Sequence, residues 1–296
     1  AKVTVGEVVV KGSYIEFRGM RFGGWSTTAE ARGITFRAIS SANMFIWSSQ
    51  DIKVIGGDIG PGQGLDFDSQ ITTTVGSQQP PTNILIDGVR FHDWWRPAGT
   101  DFHTECLQAG SGVNVTIRNS RFERCATHDI FIRSWGQTNG GAHPIRNWVI
   151  ENNVFGATLD GFFAMQLTEG ADAQQPCEDA LIRNNSFLQD IHVSCPAGGT
   201  RGIRVESNIQ PSMKAFACGL GGSKWNYNVY GSGTPCGARD RIGNPRFANP
   251  AALDLRLSKG SAAIDRGNPK SFPARDYVGQ KRPFGRAPDA GAYEKR

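Results

Sequence analysis

The chain has 296 residues, 37 of them glycine, with 39% apolar and 20% charged side chains. That balance supports a folded domain with a sizeable core and excludes a disordered chain, and no run of about 18 apolar residues exists to span a bilayer. The formal charge is +5 but unevenly placed: residues 1–238 carry 19 basic and 21 acidic side chains, and residues 239–296 carry 13 and 6.

Residue 1 leads directly into a strand-like run at 3–10, with no leader-like segment ahead of it. From residue 17 a six-residue phrase recurs: apolar, any, Gly or Asn, any, any, large apolar. It reads FRGMRF at 17–22, VIGGDI at 54–59, IDGVRF at 86–91, IRNSRF at 117–122, IENNVF at 150–155 and IRNNSF at 182–187. The starts lie 37, 32, 31, 33 and 32 residues apart, and a shortened copy, VESNI, occupies 205–209. The phrases follow alternating stretches such as Val113, Val115 and Ile117, the period of a strand.

The third position of the phrase holds Gly19, Gly56, Gly88, Asn119, Asn152 and Asn184. Gly and Asn enter the left-handed backbone region at least cost, so the phrase encodes a tight corner with positive φ. Stacked Asn side chains at that corner can bond in a ladder, and the closing apolar residue should point inward. The same bend at near-constant spacing describes a solenoid. Three short strands and three turns fill the repeat. The expected fold is all-β: a right-handed parallel β-helix of about seven to eight coils over 1–238, with 239–296 as an irregular closing segment packed on it in the same domain.

Four stretches interrupt the repeat, at 60–81, 92–104, 134–146 and 169–178, and such insertions mark the functional side of a scaffold. The densest reactive set lies at 87–135. It contains His92, Asp93, Trp94, Trp95 and Arg96, then Asp101, His103 and Glu105, then His128, Asp129, Arg133 and Trp135. His103 and His128 each precede a short strand, and equivalent places in successive coils lie about 4.8 Å apart. His103, Glu105, His128 and Asp129 are therefore expected to face one cleft, with Arg133 as a cation beside them. His92, Asp93, Trp94, Trp95, Arg96 and Trp135 are the expected substrate-binding residues, the tryptophans stacking on sugar rings.

Histidine is a suitable base near neutral pH, and arginine pairs a carboxylate with two parallel bonds. This set suits removal of the C5 proton of a uronic acid, as in a polysaccharide lyase or epimerase. Hydrolysis is the competing chemistry and needs two carboxyl groups; Asp66, Asp68, Asp93, Glu105, Asp129 and Asp160 are its candidates. A non-catalytic carbohydrate-binding or adhesion solenoid is the third possibility, since fold alone does not fix function. His92, His103 and His128 with Glu105 form a conceivable zinc set, and calcium on carboxylates is a possible cofactor. The basic tail has scattered arginines and few aromatics, which argues against nucleic acid as a partner.

Six cysteines follow in neighbouring pairs, with no CxxC. The simplest pairing is Cys106–Cys125, Cys177–Cys195 and Cys218–Cys236, among 15 possible connectivities. Disulfides point to an oxidising compartment, hence a secreted, extracellular protein.

Over roughly 12–230 the corner phrase resembles that of the pectate-lyase-like β-helix superfamily, which implies a secreted carbohydrate-active protein and a polysaccharide partner, with calcium as in several related lyases. The segments PRF at 245–247, LRL at 255–257, SAAIDRG at 261–267 and the stretch 276–294 resemble the closing segment of bacterial β-helix proteins, which implies a cover over the open C-terminal edge. Asp101 to Glu105 (DFHTE) looks like the Asp-Pro-His-Glu phrase of mannuronan epimerases, with Phe102 in place of proline and one extra residue before Glu105. That resemblance implies an acidic substrate and a proton-abstraction role around His103.

Overall fold

The computed structural model describes residues 4–62, 69–134, 143–169, 177–195, 200–214 and 217–296. The chain winds as a parallel β-helix solenoid in which successive coils pair strand on strand, all in parallel. Each coil visits three faces. On the first lie Gly112–Arg118, Ile145–Glu151 and Cys177–Arg183; on the second, Arg121–Glu123, Val154–Phe155 and Ser186–Phe187; on the third, Leu107–Ala109, Ile130–Ser134 and Met165–Glu169. Strand Thr4–Val10 forms the first rung, paired to Arg21–Thr27.

The corner phrase joins the first face to the second. Its third residue has positive φ throughout, at Gly19, Gly56, Gly88, Asn119, Asn152, Asn184 and Ser207. Two further corners escape the phrase because Ala38 and Tyr227 occupy the left-handed position. The corner at Ala38, in register with Gly56 between the Phe36–Val54 and Ile39–Gly57 pairs, divides the 37-residue gap in the sequence repeat. The solenoid thus turns this corner nine times among the described residues, more often than the seven to eight coils read from the sequence.

The closing residues of the phrase point inward and stack. Phe91, Phe122, Phe155 and Phe187 lie face to face with centroids 4.8, 4.9 and 4.4 Å apart. Each is buried, which stabilises a coil by about 1.5–3 kcal/mol per side chain.

The buried asparagine ladder runs one residue later than expected. Asn153, Asn185, Asn208 and Asn228 hold the fourth position. The backbone N–H of Asn153 donates to Asn185 Oδ1 at 2.9 Å, that of Asn185 to Asn208 Oδ1 at 3.0 Å, and that of Asn208 to Asn228 Oδ1 at 3.0 Å. Each side-chain amide donates to a carbonyl ahead of the corner in the preceding coil, such as Asn185 Nδ2 to Ile150 O at 2.8 Å. Backbone groups that the bend withdraws from the sheet are thereby satisfied. Asp240 ends the column by accepting from the Asn228 N–H at 2.8 Å. A second left-handed column, at Asp51, Asn83, Asn114, Asn147 and Asp179, marks the approach to the first face and carries its own surface ladder.

Arg241–Ile242 adds one more parallel rung beside Val229–Gly233, and the residues after it lie along the flank of the solenoid. Leu253, Leu255 and Tyr293 pack on Val154, and Leu257, Ala263 and Ala290 pack on Ile209 and Val229. The tail is clasped by Arg282, which is fully buried and bonds Glu294 at 2.7 Å, Gly291 O at 2.8 Å and Asn152 Oδ1 at 3.2 Å. The expected disulfides Cys106–Cys125, Cys177–Cys195 and Cys218–Cys236 are all present. No helix among the described residues is long and apolar enough to cross a membrane.

Three outcomes test this account. Asn185→Ala strips partners from the Asn153 N–H and the Ile150 carbonyl, at about 1–3 kcal/mol each, so urea unfolding should show a loss of roughly 2–6 kcal/mol; a loss below about 0.5 kcal/mol contradicts the ladder's role. Arg282→Met removes the cationic partner of the buried Glu294 and should cost about 3–5 kcal/mol by the same measurement.

Burial pushes the Asp289 carboxyl up to about 6, against roughly 3.9 in an unfolded chain. The folded chain then holds a proton between about pH 4 and 6 that the unfolded chain has released. This contribution is complete below about pH 4 and is lost as pH rises through 6. The Tm difference between wild type and Asp289→Asn should therefore change across that window, and a flat difference contradicts it.

Candidate functional site

The long insertions border the third face, which is where the reactive cluster forms. Segments 93–106 and 124–129 both run from the second face into the third and are pinned by the Cys106–Cys125 disulfide. Backbone bonds align them, with Cys106 N–H to His128 O and Thr127 N–H to Thr104 O, both 3.2 Å. This registry brings His103, Glu105 and His128 together. Glu105 Oε1 lies 3.1 Å from His103 Nδ1 and 3.4 Å from His128 Nδ1, and His128 Nε2 lies 3.1 Å from Gln166 Oε1.

The three members differ in access. The Glu105 and His128 side chains are 1% and 3% exposed, whereas that of His103 is 51% exposed. Burial raises the proton affinity of Glu105, but bonds and charge from His103 and His128 outweigh it and hold the carboxyl below its usual range. An ionised Glu105 accepts from Nδ1–H of His103. Phe131 underlies both rings, stacked with His128 at 5.0 Å and His103 at 5.7 Å, and Phe162 flanks His128 at 5.7 Å.

Phe131 points out of the third face because Ile130 and Ile132 point into the core. The same alternation turns Gln70, Gln108, Gln166 and His192 outward in one row with Phe131. Arg133, two residues along the same strand, points out beside that row and is partly exposed. Sequence reasoning missed Phe131, Phe162, Phe163, Gln166 and His192. The signal for Phe131, Gln166 and His192 was available as the middle residue of the short apolar–any–apolar triplets at 130–132, 165–167 and 191–193; Phe162 and Phe163 lie in the turn ahead of the second of these and carried none.

Other expected site residues go elsewhere. His92 and Asp93 belong to a network on the second-face side: His92 Nε2 lies 3.0 Å from Asp58, its Nδ1 2.6 Å from Asp93, and Asp93 pairs with Arg124. Arg124 draws Asp93 far below the usual carboxylate range, with His92 adding to it. Arg96 is paired with Asp160 at 3.2 Å. Trp94 is fully buried against Gly62, whereas Trp95 is half exposed. Asp129 faces away from solvent: it is completely buried, its oxygens have no hydrogen-bond partner among the described residues, and burial pushes its carboxyl well above the usual carboxylate range. Trp135, Asp66 and Asp68 lie outside the described residues.

His103, Glu105 and His128 each offer a ligand atom within 4.8 Å of the others. Two imidazoles and one carboxylate suit a zinc-type ion, without the His92 included in the set expected from sequence. Calcium takes six to eight oxygens, and this donor set does not resemble such a site. A separate cleft of about 540 Å³ opens between the corner and the tail, lined by Arg118, Glu151, Arg183 and Arg275 among others; there Arg118 is bound to Asp87 and Arg183 to Glu151. No family model matches the chain, and no curated protein matches it.

Proposed function

We propose that the chain is a polysaccharide lyase of the pectate-lyase-like type that acts on a uronic acid residue bound across the third face, outside the cytoplasm. The observation that carries this reading is the pairing of exposed His103 with buried Glu105. Glu105 fixes the ring so that Nε2 can take a proton, and His128, held by Gln166 and Phe131, keeps Glu105 in place. His103 is the base, and His128 and Glu105 are positioning residues. The three disulfides support an oxidising location.

In the reaction His103 Nε2 takes the C5 proton. The electron pair left on C5 spreads into the uronate carboxylate, whose growing charge Arg133 stabilises. The C4–O bond breaks as the C4–C5 double bond forms, and protonated His103 returns the proton to the departing oxygen. One group thus serves as base and then acid. Epimerisation instead needs a donor on the opposite face of C5, and none of the five tyrosines lies in this cluster. The hydrolytic alternative gains little support, because Glu105 is buried between two histidines, Asp129 is shut away from solvent and Asp93 is bound to Arg124.

Incubation with acidic glycans should release products with the ultraviolet absorbance of an unsaturated uronate. His103→Gln should lower kcat by about 10²–10⁴ with the melting temperature unchanged. New reducing ends without that absorbance refute elimination. Chelation by EDTA should leave the rate unaltered, since Arg133 supplies the positive charge. Loss of activity with EDTA and its return with zinc would make His103 a ligand and overturn its role as base.

A further inference from the structure

The third face makes no use of the basic end of the chain, where residues 239–296 carry 13 basic and 6 acidic side chains. Along the coils, arginines pair with carboxylates of neighbouring strands, as Arg90 does with Glu123, Arg118 with Asp87 and Arg183 with Glu151. A different arrangement occurs where the solenoid ends. A cleft of about 460 Å³ opens between the last corner and the tail, lined by Arg239, Arg241 and Arg266 together with Tyr227, Asp240 and Asp265 among others. All three arginines are exposed, and none of their guanidinium groups makes a hydrogen bond or ion pair among the described residues.

The end of the asparagine column explains this arrangement. Asp240 is buried and accepts from the Asn228 N–H at 2.8 Å, the Tyr230 hydroxyl at 3.0 Å and the Gly237 N–H at 2.8 Å. With Asp240 turned inward, its neighbours Arg239 and Arg241 are left outside, Arg241 opening the last rung opposite Val229. Arg266 comes from the tail, where the next residue, Gly267, bonds Pro288 O at 2.7 Å. The other carboxylates nearby are engaged by the chain's own donors. Asp265 Oδ1 accepts from the N–H groups of Arg286 at 2.7 Å and Ala287 at 3.1 Å. Asp289 is buried and accepts from the N–H groups of Asp265 at 2.7 Å and Lys295 at 2.6 Å. Glu206, one coil earlier, accepts from Asn268 Nδ2 at 2.9 Å and from the Ser271 hydroxyl.

An arginine fork donates two parallel bonds to an oxyanion, and a cleft of this size suits a small ligand group. A carboxylate offers two oxygens in one plane, whereas a phosphate or sulfate ester offers three around a tetrahedral centre and can engage more than one arginine at once. Tyr227 is partly exposed and lines the cleft, where its ring can lie against a sugar. We infer that this cleft is a second binding site, apart from the third face, for a phosphate or sulfate ester carried on a sugar of a glycan. One tyrosine is not the series of aromatic platforms on which successive bases stack, which favours a glycan over a nucleic acid. The site needs nothing from the lyase reaction, because it lies at the corner between the first and second faces.

The full chain is titrated at physiological salt with a short heparin oligosaccharide, a phosphomannan oligosaccharide, the desulfated and dephosphorylated forms of each, and a short single-stranded DNA. The expected result is binding of at least one esterified glycan, weakened at least about tenfold when its ester groups are removed. Arg239→Gln, Arg241→Gln and Arg266→Gln combined should weaken it to the same extent, and each alone in part, with the melting temperature unchanged. The tighter of the two glycans identifies the anion as sulfate or phosphate. Lys11→Gln, Lys259→Gln and Lys281→Gln combined remove the same charge from exposed residues that do not line the cleft, and should leave the affinity within about twofold. Equal weakening by the two triple variants assigns the binding to net charge and overturns the inference. Binding of neither glycan overturns it too, as does undiminished binding after ester removal, or DNA held as tightly through the same three arginines.

Discussion

The structure depends on how the backbone survives a sharp bend at every coil. A left-handed residue makes the corner, and the bend withdraws peptide groups from the ladder of parallel strands. Buried and unpaired, each would cost about 1–3 kcal/mol. Asn153, Asn185, Asn208 and Asn228 answer this at four successive coils, each side chain accepting from one corner N–H and donating to a carbonyl ahead of the corner. Because each asparagine bonds the next, the corners stay in register, and so do the strands on both sides of them.

That registry reaches the third face as chemistry. His103 and Glu105 lie in one coil and His128 in the next, and only fixed coil-to-coil alignment brings them onto a shared carboxylate oxygen. The Cys106–Cys125 disulfide ties the same two segments, so the cluster is braced by covalent and backbone bonds alike. Buried positioning groups beneath one half-exposed imidazole are what a proton-transfer centre needs: the ring is held, and its outer nitrogen can be reached. The tail reinforces the opposite side, with Arg282 locking segments of the chain to Asn152 of the corner column.

Much of this was legible in the sequence. Gly19, Gly56, Gly88, Asn119, Asn152 and Asn184 declared the corner because few residues tolerate its backbone, and the inward Phe column followed from the phrase. The corners at Ala38 and Tyr227 stayed hidden because neighbouring coils can hold a less suited residue in the left-handed region. The ladder was displaced by one position, since the strained residue and the residue whose side chain turns inward are adjacent, not identical. In the site, proximity of His103, Glu105 and His128 could be read from coil spacing. The separation of His92 could not, because it sits at the end of a second-face strand while its neighbours in sequence continue into the next turn. Outward residues such as Phe131 and Gln166 looked like core or filler without knowledge of which face was exposed.

The central claim is that the third face holds the reacting uronate, with His103 at its C5. The most direct measurement is a crystal structure of His103→Gln bound to a uronate-containing oligosaccharide. The account predicts the sugar carboxylate within hydrogen-bond reach of Arg133, the ring near Phe131 and Phe162, and C5 facing residue 103. An oligosaccharide lodged in the cleft beneath the tail beside Arg118 and Arg183, or one on the third face with its carboxylate away from Arg133, would contradict it.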